Sequence, residues 1–454
     1  MGLITLQQAA QWCGGRIDPK YKDVQFFGAN NDTRKLEAGQ LFLALQGARD
    51  GHEFIPAALE KGAAAVLCTH ADGDYPAIVV EDVRLALGQI AKMERKRLNM
   101  QVLAITGSVG KSTTKEMVYS VLATTYRTGK TPVNHNNDIG MPMAILALPE
   151  DTQVAVLEMG MNHFREIAYL TEIAAPDVAI ITNIGTMHIE HLGSQEGILQ
   201  AKLEITEGMK RGAKLILNGD DRYLWNAQET LKDLQVDYFG SLNKQSGIYG
   251  EDIIHTPDGM SFMVRVNGKS FPVSLAMEGD HFVPDALAAV AAGMALGVTS
   301  ENISRGLAEF RNMEGRQEEF SVNGYTIIND CYNAGPESMA AALNVLGNKV
   351  GRHVAVLGDM LELGACTQAE HYKVGRLAAE KADLLLAYGS NSERILNGAR
   401  TGGMTENTAR AFTDRERLAN VLKQLAKPGD VILFKGSRGM RMELILERFL
   451  QKED

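Results

Sequence analysis

The residues most suited to chemistry gather first in one short string, AITGSVGKSTTKEM, at positions 104–117. Gly107 and Gly110 let the backbone bend and approach an anion closely. The N–H groups of Ser108, Val109 and the residues after them, with a helix N-terminus behind, suit phosphate. Lys111 is placed to bridge the β- and γ-phosphates of ATP. Ser112 offers a hydroxyl to Mg²⁺, and Thr113 completes the loop. The glycine spacing is GxxGKS, shorter than the commoner GxxxxGKS. The competing reading is a tight strand-to-helix turn with a surface lysine. The position directly after an apolar run and before an amphipathic stretch favours the nucleotide.

Other polar residues end apolar runs in the same way. Glu158 closes VAVLEM (154–159), and His188 follows VAIITN (178–183). In open α/β sheets that edge binds ligands. An unpaired carboxylate ending a buried strand is costly, so Glu158 reads as a metal ligand before a structural ion pair. His188 and His191 divide evenly between ligands and satisfied hydrogen-bonders. Lys202, in GILQAKLEI, reads from spacing alone as a solvated helical lysine. Arg316 follows Gly315 and could reach a γ-phosphate across a domain boundary, or lie on the surface beside glutamates. Asp330 and Asn333 in DCYNAGP, and Lys435, Ser437 and Arg438 in FKGSRGMRME, repeat the strand-end placement. Around the run LFLAL (41–45), Thr33, Arg34, Gly47 and the 47–52 turn form a weaker candidate for a nucleotide or pyrophosphate.

These residues need sheets to hold them. Short Val/Ile/Leu runs alternate with longer amphipathic stretches, the α/β pattern. In block 1–98 the runs at 41–45, 63–67 and 77–81 read as strands. A helix from 84 to 98 ends the block, with the basic tail KMERKRLN as a solvated face. In block 99–312 the runs at 101–106, 154–159, 178–183 and 214–218 predict a parallel sheet, with a hairpin region from 235 to 275. In block 313–454 the runs at 326–330, 353–359, 383–389 and 430–436 predict a Rossmann-like sheet. The expected architecture is therefore α/β in three domains.

Bulk properties narrow the partners. The 454 residues carry a net charge of −10 with no Lys/Arg-rich block, which argues against nucleic acid. No apolar run reaches the ~20 residues of a membrane span, and the first residues lack the pattern of a signal peptide. The four cysteines stand far apart, as in a reducing compartment, so the expected location is cytoplasmic. No Ser-His-Asp or Cys-His signature marks an enzyme nucleophile.

In order along the chain, DTR…GARDGHEF, TGSVGKSTTKE, NHNNDIGMP, LEMGMN, TNIGTMHIEHLGS, AKLEI, GRQE, DCYNAGPESM, LGDMLELG and FKGSRGMRME resemble the Mur ligase family. These are the ATP-dependent amino-acid ligases of peptidoglycan precursor synthesis. The resemblance covers essentially the whole chain. It implies an N-terminal UDP-sugar-binding domain, a central P-loop ATPase-like domain and a C-terminal Rossmann-like domain. LEMGMN, DCYNAGP, LGDMLELG and KGSRGMRME look most like members that join D-Ala-D-Ala to UDP-MurNAc-tripeptide through an acyl phosphate. Other members, the related folate polyglutamylation enzyme and a P-loop NTPase are the alternatives.

Residue by residue, the resemblance implies that 107–113 cradle ATP, with Lys111 catalytic. Ser112 and Glu158 would hold one Mg²⁺ and His188 a second. Lys202 would be carbamylated, against its reading from spacing. Asn136 and Asn137 would contact the nucleotide. Arg316 and Asp330 would complete the ATP site, and Thr33, Arg34, Gly47 and His52 would bind the UDP-sugar. The chain departs from the family pattern at Ser112, where Thr is usual. It departs again in GDHFVPDA, with Phe282 and Asp285 in place of asparagines, and at Gly335 in YNAGP.

Overall fold

Three sheets carry the apolar runs, each followed by a helix that covers a face. The computed structural model describes residues 2–256 and 259–451. In the first block, strands Ala29–Asn30 (β1), Leu41–Leu43 (β2), Ala65–Cys68 (β3) and Ala77–Val79 (β4) form a parallel sheet in that order. Helix Val83–Leu98 (α1) follows, opened by the Asp82 side chain accepting from the N–H groups of Arg84 and Leu85. Its tail is only in part a solvated face: Lys96 is exposed. Glu94 and Arg95 are buried, and the Arg95 guanidinium donates to the carbonyls of Ala174 and Ala175. A long cation there closes the C-terminus of a helix in the next block, which the basic run could not reveal.

The central sheet has nine strands. They are Gln101–Thr106 (β5), Thr128–Lys130 (β6), Val154–Glu158 (β7), Val178–Ile181 (β8), Lys214–Asn218 (β9), Gln235–Gly240 (β10), Ile248–Thr256 (β11), Gly259–Val266 (β12) and Lys269–Leu275 (β13). The order is β13-β12-β11-β10-β9-β8-β5-β7-β6. β5 to β11 run parallel, and β12 is antiparallel to both β11 and β13, so the expected hairpin region begins one strand late. Register places Ile105 opposite Glu158 and Thr106 opposite Ile181. The loop after β5, the end of β7 and the end of β8 therefore share one edge. Helix Lys111–Ala123 (α2) leaves that edge; Gly140–Leu146 (α3), Glu166–Ala174 (α4), Gln195–Leu203 (α5) and Phe282–Ala295 (α6) complete the layers.

The last block is a six-stranded sheet of Glu318–Val322 (β14), Tyr325–Asp330 (β15), Arg352–Gly358 (β16), Leu384–Tyr388 (β17), Ala409–Phe412 (β18) and Asp430–Lys435 (β19). Its order is β14-β15-β19-β16-β17-β18, parallel except for the edge strand β14. β14 and β18 were not legible as apolar runs because edge strands alternate polar and apolar residues. One hydrophobic cluster runs without a break from Ile4 through α1 to Met141, Leu170 and Leu224. The two clusters of the last block contain no residue before Phe320. No helix among the described residues is long and apolar enough to cross a membrane.

Candidate active site

The carboxyl edges of the central and last sheets face each other across a cleft of about 520 Å³. On the central side Gly107 has φ 152° and Gly110 φ 84°, both in the region that disfavours side chains. A Cβ on Gly107 would lie 1.8 Å from Thr182 Oγ1, and one on Gly110 would lie 2.5 Å from Asp285 Oδ1. Asn183 braces the loop from behind: its Oδ1 accepts from the Val109 N–H and its Nδ2 donates to the Val109 carbonyl. Ser108 is fixed likewise, its N–H on the Asn183 carbonyl and its Oγ accepting from Gly185. The N–H groups left for an anion are those of the first turn of α2, which have no intrahelical acceptor. Lys111 curls back, its ammonium donating to the carbonyls of Gly107 at 2.7 Å and Ser108 at 3.1 Å. Burial lowers its pKa, with Glu158 opposing and Arg316 reinforcing the shift.

Glu158 is buried at the end of β7. Asn136 donates to its Oε1 at 2.9 Å, and Thr131 Oγ1 accepts its backbone N–H at 3.0 Å. Burial pushes the carboxyl up, but Lys115, Lys111, Asn136 and Ser112 together hold it below the usual carboxylate range. Asn137 spends its Oδ1 on the N–H groups of Ile139 and Gly140, setting the entry to α3. Lys202 lies at the end of α5, 2% exposed, and lines the cleft. Burial first, and Lys111 second, drop its pKa well below the ordinary lysine value, and no carboxylate opposes them. The solvated reading from spacing is therefore replaced by a buried amine. His188, at φ 64°, sets its Nδ1 2.8 Å from Oε2 of Glu362, at an angle outside hydrogen-bond geometry.

From the last block, Arg316 Nη2 donates to Ser112 Oγ at 3.0 Å. The guanidinium lies 3.9 Å over the ring of Tyr332, whose hydroxyl donates to Asn134. Tyr332 thus holds the arginine at the phosphate loop. Replacing it with Leu should raise the ATP KM severalfold, the loss of roughly 1 kcal/mol of cation–π attraction, while Phe retains most of it. Asp330 sits opposite Lys435 in the β15–β19 register. Its Oδ2 accepts the Lys435 ammonium at 2.5 Å, and its Oδ1 accepts the Gln317 N–H.

Asp285 lies under Gly110 and accepts from Thr114 Oγ1 at 2.8 Å. Burial pushes its carboxyl up to about 7, against the Thr114 bond and Arg316. It is neutral in the fold until that pH but ionises near 3.8 once unfolded, so its contribution is full below 3.8 and lost as pH rises toward 7. Asp285→Asn should gain on the parent between pH 4 and 7, by a few kcal/mol at roughly 1.4 per unit. Denaturant unfolding of both proteins across that range checks it.

The first-block candidates lie elsewhere. Among the described residues, none before Ser108 lines the cleft. Thr33 is partly buried, Gly47 is exposed, and Arg34 is exposed and paired with Asp32. His52 Nδ1 sits 2.7 Å from Asp50, its Nε2 takes the Thr69 N–H, and its ring stacks on His70. That imidazole is occupied within its own domain.

Three Mur ligase domain families match consecutive stretches: the catalytic domain over 28–95, the middle domain over 105–293 and the glutamate ligase domain over 315–438. The UDP-N-acetylmuramoyl-tripeptide–D-alanyl-D-alanine ligase of Bacillus subtilis (strain 168) is 38% identical, over 98% of both chains. The chain belongs to the Mur ligase family. A crystal structure of MurF from Acinetobacter baumannii is 33% identical, covers 100% of both chains and superposes with a TM-score of 0.91. MurF ligase from Thermotoga maritima in complex with ADP is 28% identical over 93% of this chain and 97% of that one, with a TM-score of 0.82. The three-domain α/β architecture read from the sequence is that of these Mur ligases.

Within this Mur ligase, sequence reading passed over Asn183, Tyr332, Lys115 and Glu362. Asn183 and Tyr332 stood inside quoted strings, but their parts depend on where a second loop lands. Lys115 follows Lys111 by one turn and carries no spacing signal of its own. Glu362, at φ 64°, reaches His188 only through the packing of two domains.

Proposed function

We propose that the chain is an ATP-dependent ligase that adds D-alanyl-D-alanine to UDP-MurNAc-tripeptide. The product is the UDP-MurNAc-pentapeptide precursor of peptidoglycan, with ADP and phosphate released, and the setting is the cytoplasm. The observation that carries the reading is the cleft itself. A phosphate loop and a buried carboxylate face Arg316 from the opposite sheet, beside an unpaired buried lysine. Residues 1–98, 99–312 and 313–454 are the proposed UDP-MurNAc-peptide-binding, ATP-binding and ligase domains. Thr33, Arg34, Gly47 and His52 are assigned to the first of these.

The tripeptide's terminal carboxylate attacks the γ-phosphorus in line, giving an acyl phosphate and ADP. The amine of D-Ala-D-Ala attacks the acyl carbon, and the tetrahedral intermediate collapses with loss of phosphate. The residues of the loop 107–113, with Asn136, Asn137 and Asp330, bind and orient ATP. Lys111 exchanges its carbonyl partners for phosphate oxygens, and Arg316 neutralises the γ-phosphate from across the cleft. The ionised Glu158 beside the Ser112 hydroxyl fits one Mg²⁺, and His188 is the proposed ligand of a second. When bound, Mg²⁺ would spread the negative charge of the phosphates.

The Lys202 amine suits carbamylation: its neutral nitrogen adds to CO₂ and sheds a proton, turning an amine with no counter-charge beside it into an anion. Acyl phosphate must be kept from water. The last block meets the central one largely through polar contacts, Arg316–Ser112, Tyr332–Asn134, Thr186–Glu337 and Lys349–Glu278, which a hinge can make and break. The deciding experiment is phosphate release from MgATP with UDP-MurNAc-tripeptide, with and without D-Ala-D-Ala. Release that needs both, with the pentapeptide formed, bears out the reading. Release indifferent to both leaves only a nucleotide hydrolase.

A further inference from the structure

The ammonium of Lys115 has no part in that scheme, yet its side chain is wholly buried. It projects from α2 one turn after Lys111 and donates to the Thr131 carbonyl at 2.9 Å. Glu116 Oε1 lies 3.3 Å away and Glu158 Oε2 3.7 Å away. Glu116 is already engaged by Lys130. Thr131 itself bonds twice to β7, its N–H to the Val156 carbonyl and its Oγ1 to the Glu158 N–H. Asn136, five residues on, holds the other Glu158 oxygen. Three elements therefore converge on Glu158: α2 through Lys115 and the loop through Asn136 at the carboxylate, and the residue after β6, Thr131, at the backbone N–H.

A buried ammonium is retained at a cost that an aliphatic side chain of the same length would avoid. Its position between the phosphate-loop helix and Glu158 gives the charge a local purpose. We propose that Lys115 is a positioning residue for Glu158, fixing the carboxylate and the Thr131 turn so that the free side of the carboxylate faces Ser112 and a divalent cation. The proposal rests on the reading of Glu158 as a metal ligand given above.

The test compares the parent protein with Lys115→Met, Glu158→Gln and the double variant. Mn²⁺ binding in the presence of ADP is read by electron paramagnetic resonance, and ADP affinity without metal and thermal midpoint are measured alongside. Lys115→Met should weaken Mn²⁺ binding by about 10–100-fold, as loss of a group that orients a ligand does. Metal-free ADP affinity should hold, and the double variant should bind no more weakly than Glu158→Gln alone. If Glu158→Gln weakens Mn²⁺ binding and Lys115→Met leaves it unchanged, the positioning role is overturned and the ligand reading stands. If Glu158→Gln itself leaves Mn²⁺ binding unchanged, the ligand reading fails first. Should Lys115→Met not fold, Lys115→Gln, which keeps a donor toward Thr131 without the charge, carries the same comparison.

Discussion

Lys111→Ala is expected to lower ligase turnover by on the order of 10³-fold, with the protein still folded. The ammonium is buried against its own loop carbonyls, so only a phosphate can replace those partners without leaving it unsatisfied. The other cation at the loop, Arg316, comes from a different domain and acts from the opposite side. Neither can substitute for the other. The loss should fall on kcat more than on substrate KM, because charge on the transferring phosphoryl group grows toward the transition state. Single-turnover phosphate release in parent and variant checks this, and a variant with parental turnover would remove the loop assignment.

Lys202→Ala should cost on the order of 10²–10³-fold, for a different reason. The parent amine is starved of counter-charge by burial and by Lys111. Left as an ammonium it would repel bound cations; as a carbamate it would support them. Parent protein in labelled bicarbonate should therefore show one carbamate resonance, absent from Lys202→Ala, and activity should fall reversibly when CO₂ is stripped. Activity indifferent to CO₂, with no such resonance, would leave Lys202 as a buried lysine of another purpose.

Strand-end placement made much of the candidate site legible in the sequence. Glu158, Asp330 and Lys435 each follow a run of apolar residues that has to be a buried strand, and parallel register then aligns them. Lys202 was legible only by resemblance, since a lysine one residue before a helix end looks the same in a string whether solvated or enclosed. The tail of α1 misled for the same reason: Glu94 and Arg95 are charged yet buried, Glu94 under Arg97 of its own helix and Arg95 against the end of α4. Edge strands β14 and β18 stayed hidden because they lack an apolar run. What a linear reading misses is contact across domains, as with Tyr332 against Asn134 and His188 against Glu362.

The unbroken hydrophobic cluster from Ile4 to Leu224 bears on how the chain is made. The opening sheet emerges from the ribosome with its own helices on both faces, but the outer side of α1 waits for α3 and α4, which arrive some tens of residues later. Until then that segment exposes the apolar side of α1, a surface open to association with other chains. The last block, whose clusters draw on nothing before Phe320, can fold as a late and independent unit on a body already complete.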